Sequence, residues 1–292
     1  MSNHPVRPPL GAHRPTVGGL HTAWASADEI GAEVMQIFTS SPQQWAARRL
    51  DEAALAAWSV ARADAVCRRV VAHSAYLLNL ASPKPETHER SVAAFTAELQ
   101  RCQALGLEGV VLHPGAHTGD GEEAGLERIA ASLRAIYDAH PELTVPTLLE
   151  STAGSGTHLG YRLEHLAWLL AAIDRPGRIA VCLDTCHLHA AGYDQGSPAA
   201  VQAFIDEFDA VVGLEYLALV HLNDSKTAVG SRVDRHERIG DGHLGRASFA
   251  TWLRDERLRQ VPMAVETPGL ENHGEELVLL RALAAGEEVD DG

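Results

Sequence analysis

Residues 179–194, IAVCLDTCHLHAAGYD, open with five aliphatic or thiol side chains in a row and then switch abruptly to Asp184, with His187 three positions further on. An unbroken apolar run of this length reads as a strand buried on both faces, the kind found in parallel sheets. A carboxylate at its C-terminal end, with an imidazole just beyond, puts metal-type ligands where α/β proteins build their sites.

The same unit recurs along the chain. Apolar runs at 34–39, 70–73, 110–113, 145–150, 217–222 and 263–267, with a weakly marked one within 10–17, bring the total to eight. Amphipathic, helix-like segments at 51–62, 88–105, 122–139, 163–173, 199–212 and 274–285 lie between them. Eight βα units in 292 residues predict an α/β fold, a single (β/α)8 TIM barrel over residues 9–285. An open doubly wound sheet is the alternative. Residues 1–8 and 286–292 are expected to be frayed termini.

Strand ends carry the chemistry. His73, His113, Glu150, Asp184, His221 and Glu266 close six consecutive runs at separations of 40, 37, 34, 37 and 45 residues. Each gap is about one βα unit, so all six side chains are expected at the C-terminal mouth of the barrel. His187 is expected to join from the loop after strand six. Asp234 and His236 join from the loop after strand seven, on alternate residues that aim the same way in extended backbone. Five imidazoles and four carboxylates suit Zn2+, with Mn2+ or Fe2+ also admissible, and nine donors serve two or three ions rather than one. Cys182 and Cys186 are spaced C-x3-C, but Cys182 lies within the strand, and packing is expected for both. His21, His88, His140, His165, His189 and His243 have no partner motif and read as surface or structural residues, while His117 stays open.

Composition narrows the rest. The chain has 24 Lys plus Arg against 39 Asp plus Glu, a formal charge of −15, and only two lysines, Lys84 and Lys226. It contains neither GxxxxGK[ST] nor a GxGxxG after a strand, so the usual nucleotide fingerprints are missing. An acidic total argues against DNA binding by a global positive field, though not against a local site. No apolar run approaches the roughly 18 residues of a membrane span, the opening residues lack a signal-peptide h-region, and four cysteines are too few for a disulfide scaffold. A cytoplasmic protein is expected.

The ligand-bearing stretches resemble the endonuclease IV family of apurinic/apyrimidinic (AP) endonucleases. GAHRPTVGGL, AHSAYLLNLASP, VVLHPGAHTG, LLESTAGSGTHLGYRLEHL, VCLDTCHLHAAGYD, HLNDSKTAVGSRVDRHERIGDGHLG and AVETPG follow its motifs in order. The resemblance favours a first strand just before His13. It implies a trinuclear zinc centre: His73, His113 and Glu150 on one ion, Glu150, Asp184, His221 and Glu266 on a second, His187, Asp234 and His236 on the third. It further implies hydrolysis of the phosphodiester 5′ to an abasic site in duplex DNA, with Glu150 as the catalytic carboxylate and a monomeric enzyme. Tyr76 and Leu77 match positions that resemble a wedge filling the gap in the duplex, with core packing as the rival reading. Arg232 and Arg235 flank the third-ion loop, where a planar fork suits phosphate oxygens. The loop TSSPQQW departs from the pattern, with Gln43 where members carry Arg, although Gln44 and Trp45 fit. Ser151 stands where Asn is usual.

Two other functions fit parts of this pattern. A xylose-isomerase-like sugar isomerase or epimerase would also gather His, Asp and Glu at strand ends, but needs no third ion site. A lesion-binding protein without catalysis would have no use for such a cluster.

Overall fold

The computed structural model describes residues 7–45 and 50–287. The parts of the terminal segments at 1–6 and 288–292 lie outside the described residues. Eight parallel strands close into a barrel: β1 Leu10–His13, β2 Val34–Ile37, β3 Arg69–His73, β4 Val110–Leu112, β5 Thr147–Glu150, β6 Ile179–Asp184, β7 Leu217–His221 and β10 Met263–Val265, with β10 pairing β1. Helices cover the outside, in order α1 Thr22–Glu29, α2 Glu52–Asp64, α3 Pro85–Leu105, α4 Glu122–Ala139, α5 Leu163–Ile173, α6 Thr185–Ala191, α7 Pro198–Val211, α8 Arg246–Arg254 and α9 His273–Ala285. A short antiparallel pair, β8 Asp224–Ser225 with β9 His236–Glu237, sits apart from the barrel.

Several boundaries differ from expectation for identifiable reasons. The strand expected at 145–150 starts at Thr147 because Pro146 has no N–H for the ladder, although its carbonyl accepts from Val110 N at 2.9 Å. β4 stops one residue before His113, which precedes Pro114, and β10 one residue before Glu266. β2 ends at Ile37, two residues short of the expected Thr39. His187 lies on a helix rather than in a loop. Asp184 is the N-cap of α6, its Oδ1 accepting from His187 N at 2.8 Å, and Asp is a preferred residue there.

Alternation along the strands separates two apolar layers. Residues such as Val70, Leu112, Leu149, Leu183, Val220 and Val265 face the helices in the large outer core. Val71, Val111, Leu148, Cys182 and Leu219 form a separate buried cluster on the inward face. Two positions on from these five stand His73, His113, Glu150, Asp184 and His221, so an apolar floor lies directly beneath the polar ring. Applied to β1, β2 and β10, the same count adds His13, Gln36 and Glu266. All eight inward positions at the mouth are therefore polar.

Gly11 lies on the inward face of β1, where an added Cβ would sit 1.6 Å from the Val34 carbonyl oxygen. Backbone cannot yield as a flexible side chain does. Gly11→Ala is expected to cost about 3 kcal/mol or more through overpacking, measured as a lowered thermal midpoint; an unchanged midpoint would contradict the close approach of β1 and β2.

Candidate metal centre

The nine candidate ligands read from the sequence converge. Three groups of side chains present donor atoms all within 4.8 Å of one another: His73, His113 and Glu150; Glu150, Asp184, His221 and Glu266; His187, Asp234 and His236. Glu150, fully buried, belongs to the first two, and its two oxygens face different partners. Oε2 lies 2.9 Å from His113 Nε2 and 3.2 Å from His73 Nε2, while Oε1 lies 3.0 Å from His221 Nδ1. Across the third group, His187 Nε2 is 3.2 Å from Asp234 Oδ2, and His236 Nε2 is 3.3 Å from Asp234 Oδ1. Asp184 links the second and third groups, with Oδ2 3.8 Å from His221 Nδ1 and 3.6 Å from His236 Nε2.

The donor chemistry fits divalent cations. His236 Nε2 is buried without a hydrogen-bond partner although two carboxylates lie around it, as expected of a nitrogen whose lone pair is meant for a metal. Burial by itself would lower His73 and His187, yet carboxylates raise both, led by Glu150 at His73 and Asp184 at His187. At His221 burial is likewise outweighed, by Cys182, Glu266 and Glu150. Burial alone would raise Glu150 too, but His113 and His221 hold it well below the usual carboxylate range. Neighbouring imidazoles thus keep Glu150 ionised, a role that metal ions can also fill.

The candidate ligand side chains are held by further contacts. His73 Nδ1–H donates to the Ser74 carbonyl at 2.7 Å, His187 Nδ1–H to the Ser151 carbonyl at 2.8 Å, and His236 Nδ1–H to the Glu266 carbonyl at 3.4 Å. Ser151 Oγ also accepts from Asp184 N at 2.9 Å, so the departure from Asn places a buried hydroxyl against the site. Asn223 Nδ2 donates to Asp184 Oδ2 at 2.7 Å, and its Oδ1 accepts from Glu266 N at 2.8 Å.

Gln36 and His13 complete the ring and escape the sequence reading, as does His158, whose strand bridge to Ala116 places it on the same rim. Counting two residues on from the inward layer finds Gln36 once β2 is ended at Ile37. Burial lowers His13 to about 4, against the raising effect of Glu266, which leaves it neutral at pH 7. Cys182 and Cys186 are buried free thiols, as expected, but Cys182 Sγ also lies within 4.8 Å of Glu150 and His221 donors, and Cys186 Sγ of Asp184 and His236 donors. His117 Nδ1 accepts from Gly121 N at 3.0 Å and Gly119 N at 3.3 Å, a loop-closing role outside the cluster.

The expected DNA-contact residues line the rim rather than the core. Tyr76 is 62% exposed, and its ring lies 5.5 Å from His73 and 5.4 Å from Phe38; Leu77 is 36% exposed. Core packing is thereby excluded for Tyr76. Gln43 and Gln44 are exposed, and Trp45 lies under Arg90 at 4.6 Å. Arg232 and Arg235 are exposed beside Asp234. Arg232 has a left-handed backbone, φ 54°, and stacks over Tyr161 at 4.9 Å.

Fold and site together define a class. Residues 24–283 match the family described as xylose isomerase-like TIM barrel, and the crystal structure of a D-tagatose 3-epimerase-like protein shares the fold at TM-score 0.72 with 16% identity, covering 95% of this chain and 97% of that one. Within the class the likeness is far more specific. A probable endonuclease 4 of Geobacter sulfurreducens is 44% identical over 259 residues, 89% of this chain and 88% of that protein. One from Chloroflexus aggregans is 43% identical over 94% of this chain and 98% of its own. The crystal structure of endonuclease IV from Thermus thermophilus superposes with TM-score 0.85 at 35% identity, covering 96% of this chain and all of that one. The chain belongs to the endonuclease IV family.

Asp224 ties the third group's hairpin in place. Its buried carboxylate accepts from Ser225 N at 2.8 Å, Leu244 N at 2.8 Å and Gly240 N at 3.0 Å. Asp224→Ala is expected to cost about 3 kcal/mol by orphaning these amides and to speed hydrogen exchange at residues 240–245. Exchange there at the wild-type rate would remove Asp224 from that role.

Proposed function

We propose that this chain is a zinc-dependent AP endonuclease that hydrolyses the phosphodiester 5′ to abasic sites in duplex DNA, leaving a 3′-hydroxyl and a 5′-deoxyribose phosphate. The observation that carries the reading is the third ligand group, His187, Asp234 and His236, beside two groups joined through Glu150. Isomerisation of a sugar has no need of it. Family membership and the histidine–carboxylate donor set support zinc, about three ions per chain, with Mn2+ admissible at one site.

His73, His113 and Glu150 would hold one ion, Glu150, Asp184, His221 and Glu266 a second, and His187, Asp234 and His236 the third. Bound zinc supplies a water acidified to a pKa of about 7 and positive charge for the departing oxygen. Glu150 is the catalytic carboxylate: buried and ionised, it presents one oxygen to each of two ligand groups and fixes their separation. In the reaction an oxygen–phosphorus bond forms from water, the bond from phosphorus to the 3′ oxygen breaks, and that oxygen leaves as a hydroxyl. Tyr76 and Leu77 would fill the gap left by an abasic nucleotide turned out of the stack, which costs least where pairing is already lost. Arg232 and Arg235 would take backbone phosphates, and Gln43 and Gln44 probe the duplex from the loop after β2. In this reading residues 9–285 act as one catalytic unit, a monomer working in the cytoplasm.

Purified protein is expected to contain about three zinc ions and to nick a defined abasic duplex until a zinc chelator removes them; a fully metallated protein that leaves the duplex intact would sink the assignment. Glu150→Gln should abolish incision while duplex binding stays measurable, and undiminished turnover would take Glu150 out of the centre. Gln43→Arg should tighten binding to an abasic duplex, whereas equal affinities would show the loop's contacts to be replaced elsewhere.

A further inference from the structure

Each of His73, His187 and His236 donates its outward nitrogen to a backbone carbonyl. His221 differs: its Nε2–H donates to a side chain, Gln36 Oε1, at 2.8 Å. Its Nδ1 is thereby turned inward, 3.0 Å from Glu150 Oε1 and 3.1 Å from Glu266 Oε2.

The amide's orientation is not free. A carboxylate that binds a metal can only accept, so the end of Gln36 that meets Glu266 Oε1 must be the NH2. The same nitrogen lies 3.2 Å from His13 Nδ1, which accepts the second hydrogen. With both hydrogens committed, the carbonyl end is the one left for His221, and a carbonyl accepts only from N–H. The order of contacts from His13 through Gln36 to His221 therefore makes Nε2 the nitrogen that keeps its proton in the neutral, metal-binding ring of His221, and Nδ1 the one that offers its lone pair. Gln36 is fully buried and in the same inward row as the candidate ligands.

We infer that Gln36 is a positioning residue for the proposed metal centre: it sets the nitrogen through which His221 binds and aligns Glu266, so that affinity for the ion held by Glu150, Asp184, His221 and Glu266 depends on it. The inference rests on the metal reading given above. Partners of this kind, one shell behind the ligands, typically change metal affinity by roughly 10–100-fold when removed.

The test compares wild type with Gln36→Met, which keeps the length of the side chain and loses its hydrogen bonds, and with Gln36→Ala. Zinc content and chelator competition are measured on the purified proteins, with the His221 Nε2–H followed by 15N NMR in the zinc-loaded state. The expected result is one zinc ion lost roughly 10–100-fold more readily than in wild type, the others retained, the Nε2–H signal no longer protected, and incision by Gln36→Met recovered in excess zinc. Wild type that binds zinc beside a Gln36→Met protein of equal zinc affinity would overturn the inference alone. Loss of all zinc with the fold in both variants would make Gln36 a packing residue and overturn it as well. A wild type that binds no zinc overturns the metal reading and the inference together.

Discussion

A carboxylate with no solvent exposure sits at the centre of this barrel, and the rest of the site is arranged around its charge. Glu150 ends β5, faces inward, and has imidazoles rather than Lys or Arg as its neighbours. An isolated buried carboxylate would be prohibitively costly and would take up a proton. Glu150 instead stays ionised because each oxygen meets histidine nitrogens at about hydrogen-bond distance. Three further acidic groups crowd the same mouth, so the compensation has to come from a shared set of cations. Imidazoles whose pKa the carboxylates raise, at His73, His187 and His221, supply it in part, and divalent ions would supply it with less demand on the imidazoles.

The barrel makes such a concentration of charge tolerable. Parallel strands put the eight inward side chains at the mouth on one ring, while the layer beneath is closed by Val71, Val111, Leu148, Cys182 and Leu219. Polar side chains therefore meet water or each other only on the open side. Local structure and site are also coupled through single residues. Asp184 caps α6 with Oδ1 and offers Oδ2 to the ligand groups, so the carboxylate that starts the helix also sets where His187, one turn in, can point. Moving either function of Asp184 would move the other.

Much of this is legible in the sequence because two periodicities coincide. A strand end recurs once per βα unit, and six of eight ends carry a side chain that is rare at random in such a place. The two ends that stay hidden explain themselves. β1, with Gly11 and Ala12 at its centre, is too weakly apolar to mark its own end, so His13 does not stand out as an end residue. β2 runs on into Phe38 and Thr39, which look like strand and are loop, so Gln36 reads as interior. Gln36 is also an amide, chemically unremarkable beside histidines until its partners are known. The N-cap signal at Asp184 is present in the sequence and is masked by the stronger ligand reading of the same residues.

The acidic total takes on a different meaning once the charges are placed. With a formal charge of −15 the chain has no global field to draw in a polyanion, and cations held at the mouth would add positive charge only there. Apolar side chains stand among the polar ones around that mouth: Val17, Tyr76, Leu77, Val229 and Val233 are exposed in segments that follow strand ends. Apolar side chains gain little from an intact duplex, whose bases are stacked and whose surface is phosphate. They gain more where a base is absent and a cavity opens between stacked neighbours. In the proposed reading, the lack of general attraction, a charged focus at one point and exposed apolar side chains near it would act in the same direction, towards DNA that is already easy to deform.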